Sequence, residues 1–280
     1  MKKFKRFAVS RPVLLGLVLI VIYALLSTLT YPVHFLFPDD EVGQVYGDAV
    51  AKTVMSAVFT GLIWGFGWLD RSGLTRLGKR RGRLLIAAWG LYLIAGQYYA
   101  FTGSIRLPVA SSPLGVAEFL GTLPGALLEE LLYRGLLLTA MLTAWGHTKR
   151  GIIKSIALSS LLFGTTHLIN VIVRPAGIVV FQAILVSLPG VFYAAVLLKR
   201  RSLWPAVLIH WLANAAVNVK IAGLENFQET PAMWLWFALF MIPITLYSAY
   251  VIGKLPVAEV QREGASGLSR NAAHGLERAR

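Results

Sequence analysis

The sequence predicts an all-α, polytopic membrane protein with eight transmembrane helices and both termini cytoplasmic. Three observations predict it. Of 280 residues, 56% are hydrophobic and only 14% charged, about half the charged fraction of a soluble domain. Mean hydropathy is +0.66. Apolar runs long enough to cross the hydrocarbon core, which takes roughly 17–25 residues, recur along the chain with basic clusters between them.

These runs lie at 12–33, 53–69, 84–104, 116–142, 156–173, 178–198, 203–219 and 232–253. The compact breaker Arg174-Pro175-Ala176-Gly177 separates the fifth from the sixth. The first run follows a basic head (Lys2, Lys3, Lys5, Arg6, Arg11). It is longer than the roughly 7–15 apolar residues of a cleavable signal, and no Ala-x-Ala site follows, so an uncleaved anchor is expected.

Lys and Arg fall alternately in the connections. One side collects 22 of them, the other only Lys52, Arg106, Arg174 and Lys220, along with Asp39, Asp40, Glu41 and Asp48. The basic side is the cytoplasmic one by the positive-inside rule. The net charge of +14 therefore reads as topology. It does not form one continuous basic face, and no nucleic-acid partner is expected; the lipid bilayer is. The chain has no cysteine, which excludes disulfides, thiol nucleophiles and Cys-type metal sites.

By organisation, residues 1–115 form a three-span N-terminal region, 116–219 a four-span core, 220–253 the last span, and 254–280 a polar tail expected to be mobile and dispensable. The compact length and short loops suit a prokaryotic plasma membrane.

Ionisable residues inside a span cost roughly 2.5–3.5 kcal/mol each on insertion scales, so each requires a reason. The fourth span reads Leu-Leu-Glu129-Glu130-Leu-Leu-Tyr133-Arg134. Residues four apart share a helix face, so Glu130 and Arg134 are expected to form a buried structural pair. Glu129, rotated by about 100°, is left without that partner. An unpaired carboxylate in low dielectric tends to neutralise, which suits a general base or acid. The fifth span adds Phe163-x-x-x-His167, followed by Asn170, and the seventh His210-x-x-x-Asn214. Taken singly, His167 could be a packing residue bonded to Ser159, Ser160, Thr165 or Thr166, and His210 with Asn214 could be interhelical glue. At 1.5 Å per residue, His210, His167 and Glu129 lie roughly 10, 16 and 20 Å from the cytoplasmic ends of their spans. They share one slab, biased toward the cytoplasmic half. Pro124, just over one turn before Glu129, is expected to kink the fourth span and help open a wet cavity.

A carboxylate with an imidazole can deprotonate a water for attack on a carbonyl. A second imidazole with a carboxamide can donate to the developing oxyanion. A zinc site formed by Glu129, His167 and His210 with an open fourth position stays possible, although the His-Glu-x-x-His helix of common zinc proteases is absent.

Taken in order, Glu129-Glu130-x-x-x-Arg134, Phe163-x-x-x-His167 and His210-x-x-x-Asn214 resemble the CAAX protease and bacteriocin-processing family, the type II CAAX prenyl endopeptidases (CPBP intramembrane metalloproteases, or Abi family). The resemblance covers roughly 116–219. It implies an eight-helix fold whose site opens toward the cytoplasm. It also implies that Glu129 and His167 activate water, that His210 and Asn214 form the oxyanion hole, and that Glu130 and Arg134 are structural or orient substrate. No cofactor is required on this reading, although zinc is not excluded. The expected function is an intramembrane endopeptidase acting on a peptide or membrane-associated protein near the cytoplasmic face. The alternatives are a non-catalytic bacteriocin immunity or scaffold protein and a proton-coupled transporter.

Overall fold

The computed structural model describes residues 2–258 and 260, apart from 30, 79–81, 107–108, 173, 223 and 225–226. The polar tail beyond 260 and three of the basic residues counted above, Lys79, Arg80 and Arg81, lie outside the described residues.

All regular structure among the described residues is helical. Helix α1 (Lys2–Ser10) bends by 112° into α2 (Pro12–Leu29). A short 3-10 turn (Tyr31–Leu36) leads to α3 (Glu41–Gly65), which begins well before residue 53 because Asp40 caps it, accepting from Gly43 N at 2.6 Å. Next come α4 (Arg83–Thr102) and α5 (Pro113–Glu130), the latter capped by Ser112 with Pro113 in its first turn. Helix α5 continues as a π-helical stretch, Leu131–Leu138, into α6 (Thr139–Trp145). Helix α7 (Lys149–Thr166) tightens into a 3-10 turn, His167–Ile172. Four helices follow: α8 (Ala176–Leu185), α9 (Ser187–Arg200), α10 (Trp204–Ile221) and α11 (Pro231–Lys254). The breaker at 174–177 falls between the 3-10 turn and α8, as expected.

Four stretches are long and apolar enough to cross a membrane: Arg83–Thr102, Lys149–Ile172, Ala176–Arg200 and Pro231–Lys254. The bent α1–α2 pair makes a fifth if it is one broken span. The expected count of eight is therefore met only in part. The helices that fall short are the polar ones. Helix α3 carries Glu41, Asp48 and Lys52, α5 carries Glu118, Glu129 and Glu130, and α10 carries His210, Asn214, Asn218 and Lys220. Large apolar side chains such as Val21, Leu25, Leu91, Leu235 and Leu246 face outward, each more than half exposed, as lipid-facing residues do.

Two apolar clusters make up the interior. One gathers α2, α3, the α5–α6 rod and α7; the other gathers α4, α9, α10 and α11. Phe163 belongs to the first and Tyr193 to the second, and the buried Arg134 and His210 lie between these two rings.

The two ends of the bundle differ. At one end the basic connections are tied together. Lys149 Nζ donates to the carbonyls of Gly253 and Leu255, both at 3.0 Å. Arg71 Nη1 donates to Thr143 Oγ1 at 3.1 Å. Gly73, at φ +73° with Leu203 N 3.0 Å from where a Cβ would sit, lets its carbonyl accept from Leu203 N. Lys5 Nζ donates to the Phe66 carbonyl, which brings α1 to this same end. At the other end Arg174 pairs with Glu229 at 2.6 Å, and Phe101 packs edge-on against Trp234.

Gly164 marks the tightest helix crossing near the site. A Cβ there would lie 2.1 Å from both Ala183 O and Ser187 Oγ. Gly164→Ala should therefore force α7 away from the α8–α9 junction and cost roughly 1–3 kcal/mol or more. A lowered midpoint of thermal unfolding in detergent would report it.

Candidate active site

Glu130 and Arg134 are almost completely buried, at 0% and 1% exposure. Arg134 Nη1 donates to Glu130 Oε1 at 3.0 Å. The guanidinium also lies 4.5 Å from the centre of the Phe163 ring and 5.3 Å from that of Tyr193, so aromatic faces attract the charge, while Arg134 Nη2 and Glu130 Oε2 have no hydrogen-bond partner among the described residues. The expected structural pair is present. It is anchored where the chain leaves α-helical geometry, and Thr139 Oγ1 reaches back five residues to the Arg134 carbonyl at 3.2 Å.

Glu130 Oε1 has a second partner that sequence spacing could not supply. His210 Nδ1, on α10, lies 3.0 Å away. Donation from Nδ1 to the carboxylate turns Nε2 toward Glu129, whose Oε2 is 3.5 Å distant. His210 thus stands between two carboxylates, and Glu129 is not the unpaired acid that the helical wheel suggests. Tyr193 stacks on the imidazole (ring centres 5.0 Å apart, 15° between planes), and Phe163 meets it edge-on. Ring rotation is blocked on both sides.

His167 caps the C-terminus of α7, at the change from α to 3-10 geometry. None of the nearby hydroxyls holds it. Thr165 and Thr166 both donate to Leu162 O, and Thr166 also pairs with Tyr133. His167 Nδ1 instead meets the Phe163 carbonyl at 3.2 Å, which makes Nδ1 the donor and leaves the Nε2 lone pair available. Asn170 donates to Gln182 Oε1 at 2.9 Å on α8.

Asn214 lies one turn beyond His210. Its Oδ1 accepts from Gln97 Nε2 at 3.1 Å, so the carboxamide NH2 is the end left for a ligand. Gln97 escaped the sequence reading, though an amide in the otherwise apolar run Ile-Ala-Gly96-Gln97 of α4 was the available signal.

Glu129, His167, His210 and Asn214 all line one cavity of about 220 Å³. Glu130 and Arg134 lie behind it. Its outer lining includes Gln182, Asn218, Arg174 and Glu229, none of which the sequence reading placed at a site. The helix is unbroken through Pro124, and the departure from α geometry comes after the acids, at Leu131–Leu138. Pro124 itself does not line the cavity.

The zinc alternative fits poorly. Both nitrogens of His210 already face carboxylates. Among the described residues, no three of His, Cys, Asp and Glu are grouped so as to hold a metal ion.

Arg174, Phe227 and Glu229 line the cavity, and no residue of the basic connections does. The cavity lining thus extends toward the end of the bundle opposite the basic one. Helix α1 and the end of α11 lie at the basic end.

Residues 114–216 match the family described as Type II CAAX prenyl endopeptidase Rce1-like. The match runs from the start of α5 into α10 and contains every site residue predicted above. Over this stretch the chain is similar to the CAAX-type proteases of that family, and its long apolar helices suit a multi-pass membrane protein. No curated protein and no solved structure matches the chain significantly.

Arg134→Met would leave the Glu130 carboxylate buried with only His210 for company. Removing one partner of a buried pair costs about 3–5 kcal/mol. A large loss of thermal stability in detergent is expected, with little or no protein recovered in folded form.

Proposed function

We propose that this chain, matched over 114–216 to the Rce1-like family, is an eight-span endopeptidase that hydrolyses a peptide bond without a covalent intermediate. The observation that carries this reading is His210 held between Glu129 and Glu130 at the floor of a cavity that His167 and Asn214 also line.

In the proposed reaction, a water between Glu129 and His167 loses a proton to one of them as its oxygen adds to the peptide carbonyl carbon. The carbonyl π electrons move onto oxygen. The resulting oxyanion receives hydrogen bonds from His210 Nε2 and the Asn214 amide. Because His210 Nδ1 donates to Glu130, Nε2 must also carry a proton to donate, so the working form is the imidazolium. When the tetrahedral intermediate collapses, the C–N bond breaks and the proton taken from water passes to the departing amine. Glu130 and Arg134 act through His210, as positioning residues. Gln97 does the same for Asn214 by holding its carbonyl.

Glu129→Gln should abolish cleavage of a membrane-anchored reporter peptide by purified protein, with the thermal midpoint preserved. Asn214→Ala should lower kcat by about 10²–10³ with a smaller change in KM, as loss of one oxyanion donor does. A chelator should leave the wild-type rate unchanged. Retained cleavage in Glu129→Gln would sink the reading.

Gln97→Leu removes the donor to Asn214 without touching the cavity's acids or histidines. A drop in kcat with KM little changed is expected, and a rate equal to wild type would show that Asn214 needs no such support.

A further inference from the structure

We propose that the cavity opens on the non-cytoplasmic face of the membrane, and that its substrate is an extended peptide segment presented there by a membrane-anchored protein. The substrate half of this inference rests on the endopeptidase reading above; the direction of opening does not.

Two independent observations carry the direction. The first is charge. Counted along the sequence, 22 of the 26 Lys and Arg other than Arg134 fall in the alternate segments that include Lys5, Arg71 and Lys149, which tie one end of the bundle together, and four in the remaining ones. Such a bias fixes which end is retained in the cytoplasm. The second is the path of the cavity. From His210 its lining runs along α10 through Asn214, Val217 and Asn218 to Ile221, eleven residues or about 16 Å toward the acidic end. The Arg174–Glu229 pair stands at the rim, with Arg174 41% exposed.

The way to the basic end is closed. Behind His210 and Glu129 lie Glu130 and Arg134, at 0% and 1% exposure, then Leu203 and Val207, at 0% and 2%. Arg134 and Glu130 thus form a plug as well as a support for His210. The acids reinforce the asymmetry, since Asp39, Asp40, Glu41, Glu118 and Glu229 all stand toward the cavity's end.

The shape of the passage limits what can enter. A cavity of about 220 Å³ does not admit a helix, whose diameter with side chains is roughly 10–12 Å. The segment reaching Glu129 must be extended. Gln182, Asn218, Arg174 and Glu229 near the rim offer donors and acceptors for peptide groups, and Phe101, Trp234 and Phe237 supply apolar wall for side chains.

The absence of native cysteine makes single-cysteine mapping direct. Leu77, 90% exposed, marks the basic end; Leu224, 53% exposed, marks the cavity end; Ile221 lines the cavity. In spheroplasts making the full chain, a membrane-impermeant maleimide should label Leu224→Cys and Ile221→Cys without lysis, and Leu77→Cys only after lysis. Two single-span reporters would then present the same unfolded peptide on either side of the membrane. The non-cytoplasmic reporter should be cut, and the cut lost in Glu129→Gln. Labelling of Leu77→Cys alone in intact spheroplasts, or cutting of the cytoplasmic reporter alone, overturns the proposed direction while leaving the endopeptidase reading standing. Labelling as expected with neither reporter cut overturns the endopeptidase reading, and with it the proposed substrate.

Discussion

A single oxygen, Glu130 Oε1, organises the interior. It accepts from Arg134 Nη1 on its own helix and from His210 Nδ1 on α10, each at 3.0 Å. A carboxylate with 0% exposure needs such partners, because an uncompensated buried charge costs several kcal/mol. Satisfying it has geometric consequences. The α5 rod and α10 are held in register, the imidazole is oriented, and Nε2 faces Glu129. Phe163 and Tyr193 then sandwich both the guanidinium and the imidazole. The two apolar clusters are joined through a polar knot.

The knot also explains why the helices of the site are less apolar than their neighbours. The α5 rod and α10 carry Glu129, Glu130, Arg134, His210 and Asn214, and it is these helices, with α3, that are not among the stretches apolar enough to be ordinary spans. They lie inside a sleeve of more apolar helices, with α4, α11 and the α7–α9 stretch around them. The same arrangement would let the proposed water-dependent site exist within a bilayer. Its polar face turns inward to a cavity, and lipid meets Leu91, Leu235 and Leu246.

Much of this was legible in the sequence because helical periodicity links residues four apart. Glu130 with Arg134, and His210 with Asn214, were readable as pairs for that reason, and the breaker at Arg174–Gly177 for its Pro and Gly. Contacts between helices were not. Nothing local to α5 shows that Glu130 takes His210, or that Glu129 lies beside the same ring. Gln97 and Tyr193 act through partners about a hundred and seventeen residues apart in one case and seventeen in the other, beyond any periodic signal. A cytoplasmic opening was expected from the resemblance alone, and no periodic signal in the chain tells which end of a cavity is open. His210 is near the start of α10, at the basic end, yet the cavity lining extends from it toward the other.

The most direct test of the account is the protonation of His210 itself. Histidine labelled with 15N in the full-length protein, with the His210 signal assigned by its loss in His210→Gln, should show Nδ1 protonated and in a strong hydrogen bond, with that signature lost in Glu130→Gln. A His210 ring with Nδ1 unprotonated, or with a spectrum indifferent to Glu130→Gln, would contradict the claim that Glu130 orients the imidazole for chemistry.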